Sequence, residues 1–213
     1  MLERKLMTGI HGVGDDPSPD GVALVRAAVD WARCGRTDPI GRSELRNLWA
    51  CYLGPGAVLN DSAFDRALEW ALRPVAGTIA LLHRAGGFQA FDYVVRLLRD
   101  DPRAESPLEE AWTTAIQSAS DAQALAVGTA AYQHERRTDA LRVLSVARHS
   151  EVHAVAAIAG FNTGVVLSEL GRSAEEIEVY DEVVARFGDA PEAALREQVG
   201  RALVNKGVRL GQL

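Results

Sequence analysis

The stretch AAIAGFNTGVVLSELGRSAEEIEVYDEVV, residues 156–184, decides how the C-terminal half of this chain folds. An apolar first segment ends near Gly171 and a second, acid-rich segment follows, so the stretch reads as two helices joined by a short turn. Two other stretches align with it by their glycines. They are DAQALAVGTAAYQHERRTDALRVLSVA, 121–147, and GRALVNKGVRLGQL, 200–213. Gly128, Gly164 and Gly207 then fall 36 and 43 residues apart. An ordinary helical bundle gives no reason for a helix–glycine register to recur, whereas a stack of helical hairpins does.

The repeat resembles the tetratricopeptide family over about 95 of the 213 residues, whose period is about 34. Gly128, Gly164 and Gly207 match the family's small residue where two helices approach. Asn162 and Asn205 match the frequent Asn two positions earlier. Ala140, Ala147, Tyr180 and Gly171 match small, aromatic and turn positions. GDAPEAALR supplies the insertion that lengthens the second spacing. Glu135 at a turn, and Glu176 and Val183 where the family has alanine, depart from the pattern.

The resemblance implies a mostly α fold and a concave surface lined by each repeat's first helix. That surface would take Thr129, Tyr132 and Gln133 from the first repeat, and Phe161, Val165, Ser168 and Glu169 from the second. Arg201, Val204 and Val208 would extend it. The mixture is apolar with few charges and suits a peptide or helix with apolar anchors. The expected function is a protein–protein interaction scaffold or regulatory module, not an enzyme. The third repeat shows only its first helix, 192 to about 210. Val199, Leu203, Val204, Val208 and Leu210 are too many apolar residues for one face to bury, so homo-oligomerisation through this end is expected.

Residues 22–105 read as one unit. VALVRAAVDWARCG (22–35), RSELRNLWACYL (42–53) and DSAFDRALEWAL (61–72) are amphipathic helices, with Ser43 and Asp61 as candidate caps. TIALLHR (78–84) and FQAFDYVV (88–95) are β-prone runs around Ala85-Gly86-Gly87. Three helices and a hairpin make a winged-helix-like layout. The segment resembles the relay between a signalling NTPase core and its repeats in actinobacterial proteins. The alternatives are therefore a winged-helix DNA-binding regulator with a repeat sensor, or a relay and sensor fragment of such an NTPase. Against specific DNA binding, helix 61–72 sets Asp61, Asp65 and Glu69 against Arg66. Residues 1–21 read as a flexible arm, and 106–213 as the repeat region opening with a helix at 108–119.

Composition excludes several classes. The net charge is −6, with apolar residues at 47%, which fits a soluble domain without a basic nucleic-acid face. No apolar run is long enough to span a membrane, and MLERKLMTGI lacks the core of a secretory signal, so a cytoplasmic chain is expected. Cys34 and Cys51 read as small buried thiols, and Trp31, Trp49, Trp70 and Trp112 as core. Gly9, Gly12 and Gly14 are followed by Asp15 and Asp16 instead of the Lys and Ser/Thr of a phosphate loop. His149 and His153 share a helical spacing but lack a third ligand, and Glu175, Glu176, Glu178, Asp181 and Glu182 read as a solvated stripe. No metal or other cofactor is expected.

Overall fold

The computed structural model describes residues 18–74, 80–100 and 105–213. Residues 1–17 of the expected arm, residues 75–79, which include the first two of the first β-prone run, and 101–104 lie outside the described residues. Residues 18–21, also read as arm, instead cap and open the first helix. Among the described residues there are ten helices and one two-stranded sheet, so the fold is mostly α. The chain divides into two compact units, residues 1–115 and 116–213.

Helix α1 (Pro19–Arg33) is the axis of the first unit. Its start is marked by Ser18, whose Oγ accepts from the Gly21 amide at 3.1 Å, and by Pro19 at the first helical position. It ends at Gly35, whose φ of +87° suits glycine alone. Ten of its fifteen residues are buried, because α2 (Arg42–Tyr52), α3 (Asp61–Leu72) and α4 (Asp92–Asp100) all pack on it. Gly21 lies under the ring of Trp70, leaving no room for a side chain. Trp49 sits edge-on to Phe64 at 5.4 Å and donates to the Asp20 carbonyl at 2.9 Å. All four tryptophans are buried, as expected.

Several local expectations need correction. Asn60, not Asp61, caps α3: its Oδ1 accepts from the Ala63 amide at 2.8 Å. The residue at the N-terminus of α2 is Gly41, with no side-chain cap, and not Ser43. The hairpin is short, β1 (Leu82–Arg84) pairing antiparallel with β2 (Phe88–Ala90) across Gly86 at φ +78°. Residues 92–95 are not strand. They open α4, with Val94 buried and Val95, Leu97 and Leu98 half-buried on one helical face. Cys34 is buried, but Cys51 is exposed.

The boundary also moves, from 105/106 to 115/116. Helix α5 (Glu109–Gln117) buries Ala111, Trp112 and Ala115. Arg36, itself buried and stacked 4.1 Å from the Trp31 ring, donates to the Ala115 carbonyl at 3.1 Å. Arg33 likewise donates to the Glu105 carbonyl at 2.8 Å. The stretch from Glu105 through Ala115 is thus tied to the N-terminal helices.

The second unit consists of α6 (Asp121–Gln133), α7 (Arg137–Ala147), α8 (His153–Glu169), α9 (Ser173–Phe187) and α10 (Ala193–Leu210). A shift of 36 residues carries the first hairpin onto the second. Glu135 at φ +60° becomes Gly171 at φ +71°. The Arg136 amide bonds the Ala131 carbonyl at 2.9 Å, and Arg172 bonds Leu167 at 3.0 Å. The Arg136–Asp139 ion pair becomes Arg172–Glu175. Gly128 faces Leu144, whose Cγ would stand 2.7 Å from an added Cβ; at Gly164 the Tyr180 ring takes that place. Ala140 and Ala147 are fully buried between the helices. Gly207 departs from the expected close approach, since an added Cβ would meet nothing within 4 Å.

Candidate functional site

The first helices α6 and α8 pack side by side and, with α7 beneath them, enclose a cavity of about 250 Å³. It is lined by Thr129, Tyr132, Gln133, Leu144, Asn162 and Val165. Gly128 creates the floor by letting Leu144 of α7 come up against α6. The Thr129 hydroxyl donates to the Leu125 carbonyl at 2.7 Å, which satisfies its donor within its own helix. The side-chain amides of Gln133 and Asn162 have no hydrogen-bond partner among the described residues. They are the groups left to meet a ligand.

One wall carries a three-residue cluster of Tyr132, Arg137 and Glu169. The Tyr132 hydroxyl donates to one oxygen of Glu169, and Arg137 donates to the other. Arg137 also stacks 4.6 Å from the Tyr132 ring and donates to the Tyr132 carbonyl at 2.7 Å. The Tyr132 hydroxyl, and then Arg137, hold the Glu169 carboxyl below the usual carboxylate range. The same bond pushes the Tyr132 phenol up.

The ten surface residues expected from the sequence therefore divide. Thr129, Tyr132, Gln133 and Val165 come together in the cavity, and Glu169 braces its wall. Phe161 does not belong to the exposed surface. It is buried near Tyr180, 6.1 Å between ring centroids, and is covered by the Arg201 guanidinium at 4.1 Å. Ser168 is bonded by Arg209. Arg201 has no carboxylate partner among the described residues. Val204 and Val208 are exposed on α10 and do not line the cavity. Of the structural residues, Asn162 lines the cavity, while Asn205 Nδ2 donates to the Tyr180 hydroxyl at 3.1 Å.

Leu144 and Arg137 were missed as site residues. Leu144 was findable, because it stands 36 residues before Tyr180, each 16 residues after its glycine. Glu176 is a correction of another kind: it is not solvated but 2% exposed, and Arg209 donates to it at 2.6 Å.

A larger cavity of about 430 Å³ is lined by Arg148, His149, Gly160, Glu182, Val183 and Arg186, among others. Its charges are already engaged. Arg148 pairs with Glu182 at 2.7 Å, and Arg186 donates to the carbonyls of Arg148 and Ser150 at 3.0 and 2.9 Å, closing the C-terminal end of α7. His149 lies in the turn after α7 and His153 begins α8, so the two do not share a helix. No cluster of three or more potential metal-binding side chains occurs among the described residues, and none of their helices is long and apolar enough to cross a membrane. No protein-family model matches the chain, and no curated protein or solved structure shows significant similarity to it.

Proposed function

We propose that residues 116–213 form a tetratricopeptide-like interaction module. It would capture a peptide or helix of another protein by one bulky apolar side chain seated in the α6–α8 cavity. The observation that carries this reading is the pairing of an apolar slot with two unpartnered amides, Gln133 and Asn162, on the face where the repeat register expects a binding surface. At about 250 Å³ the cavity is smaller than the ~300–1,000 Å³ typical of small-molecule sites, which favours a single anchoring side chain. The amides would bond the backbone beside the anchor and fix its direction.

The first unit fits a relay better than a DNA reader. Three helices and a hairpin support a winged-helix-like arrangement, but Arg42 and Arg46 of α2 pair with Asp65 and Asp61 of α3. Those two guanidiniums of α2 are thus engaged by carboxylates and not free for phosphates.

The test is selection from a displayed peptide library followed by calorimetry. Selected peptides should share one large apolar residue. Thr129→Trp, which fills the cavity, should abolish their binding, and Asn162→Ala should weaken it by about tenfold, or ~1.4 kcal/mol. Selected peptides that bind Thr129→Trp as tightly as the natural chain would refute the site.

A further inference from the structure

Shifted by 43 residues, the face of α8 that receives α9 falls on α10. Gly207 takes the place of Gly164, Gly200 of Ala157, Val204 of Phe161 and Leu210 of Leu167. On α8 these four positions are buried. On α10 Val204 is 66% and Leu210 53% exposed, and a Cβ at Gly200 or Gly207 would meet nothing. The opposite face of α10, with Leu195, Gln198, Val199 and Ala202, is buried in the unit's core.

We propose that this open face binds the same face of a second copy of the chain. The two α10 helices would run antiparallel about a two-fold axis, with Val204 of each copy seated on Gly207 of the other. Within the chain, helices meet at glycines: Leu144 on Gly128, Tyr180 on Gly164, and Val183 2.6 Å from a Cβ built at Gly160. The open face of α10 offers both partners of such a contact, glycine sockets and the bulky Leu203 and Val204. It is thus self-complementary, as a two-fold interface requires. A parallel pairing would set Gly207 against Gly207 and leave the sockets empty.

The occupant is a second α10 because, among the described residues, no other helix exposes more than one large apolar side chain. Charge permits the pairing as well. From 200 to 213 the ionic groups are Arg201, Lys206 and Arg209; Arg201 lies over the Phe161 ring of its own chain, and Lys206 and Arg209 pair with Asp181 and Glu176. Two copies therefore meet without opposing like charges, although the chain carries a net −6. The interface is independent of the α6–α8 cavity and stands whether or not that cavity takes a peptide.

Sedimentation velocity of the full chain over about 1 to 200 µM tests it, in the range where weak contacts are read. The expected result is a monomer–dimer equilibrium whose dissociation constant rises at least about tenfold in Leu203→Glu and in Gly207→Gln. Gly207→Gln has open space around it in the single chain, so circular dichroism and melting of the dilute monomer should be preserved. A natural chain that stays monomeric throughout overturns the proposal, as does a dimer that survives both substitutions. Orientation is read in a Cys51→Ser background. An equimolar mixture of Val204→Cys and Gly207→Cys chains should oxidise mainly to the mixed disulfide, and a predominance of Gly207→Cys homodimers overturns the antiparallel arrangement.

Discussion

The ring of Tyr180 fills the space where a side chain on Gly164 would stand, so the ring of α9 packs directly on the α8 backbone. Gly164→Leu should therefore overpack this crossing and cost about 1–3 kcal/mol in chemical denaturation. Gly207→Ala, on the open face of α10, should cost nothing and stabilise by up to ~1 kcal/mol through helix propensity. Equal effects at the two sites would mean the crossings are misassigned.

The equivalent turns at Glu135 and Gly171 respond oppositely to substitution. Both residues adopt positive φ, which disfavours a side chain by ~1–2 kcal/mol. Glu135→Gly should stabilise by up to about 1 kcal/mol, after the greater freedom of glycine in the unfolded chain is subtracted. Gly171→Ala should destabilise by about 1 kcal/mol. A loss of stability in Glu135→Gly, read from urea melts, would contradict the turn geometry.

Part of this fold was legible because it depends on local pattern. The three N-terminal helices, the buried tryptophans and the 36-residue hairpin repeat all follow from spacing along the chain. What failed depended on distant partners or on competing local signals. The run FDYVV is rich in β-prone residues, yet Val94, Val95, Leu97 and Leu98 share a helical face that packing on α1 rewards. Glu176 lies among four other acids, and nothing nearby shows that Arg209, 33 residues later, draws it into the interior. Four cavity residues were readable from the register. Phe161 was misplaced because the covering Arg201 comes from α10, across an insertion the period does not govern.

Breaking the Glu176–Arg209 pair should be costly. Arg209→Met leaves a buried carboxylate without its cation and should destabilise by about 3–5 kcal/mol, most of which the double variant Arg209→Met, Glu176→Met should restore. Denaturation midpoints of the two single variants and the double variant check this. A loss under ~0.5 kcal/mol in Arg209→Met would show that the pair is not buried.

Asp30 gives the first unit a distinctive pH response. Burial pushes its carboxyl above the ordinary 3.8, against the opposing effects of the Tyr52 hydroxyl at 2.7 Å and Arg33 at 2.8 Å. The folded state therefore holds this proton more tightly than the unfolded chain. Its contribution is full below about pH 3.8 and is lost as pH rises through the elevated folded value. The stability of the natural chain relative to Asp30→Asn should fall as pH rises from 3 towards 7, by no more than about 1.4 kcal/mol per unit. A difference that grows with pH would contradict the buried, proton-retaining carboxyl.

The α6–α8 cavity is tested most directly by nuclear magnetic resonance titration of the isotopically labelled chain with a library-selected peptide. The backbone and side-chain amides of Thr129, Tyr132, Gln133, Asn162 and Val165 should shift first and most, with the Asn162 and Gln133 side-chain amides among the largest changes. A selected peptide whose shifts cluster elsewhere, or leave these five residues unmoved at saturation, would contradict the account.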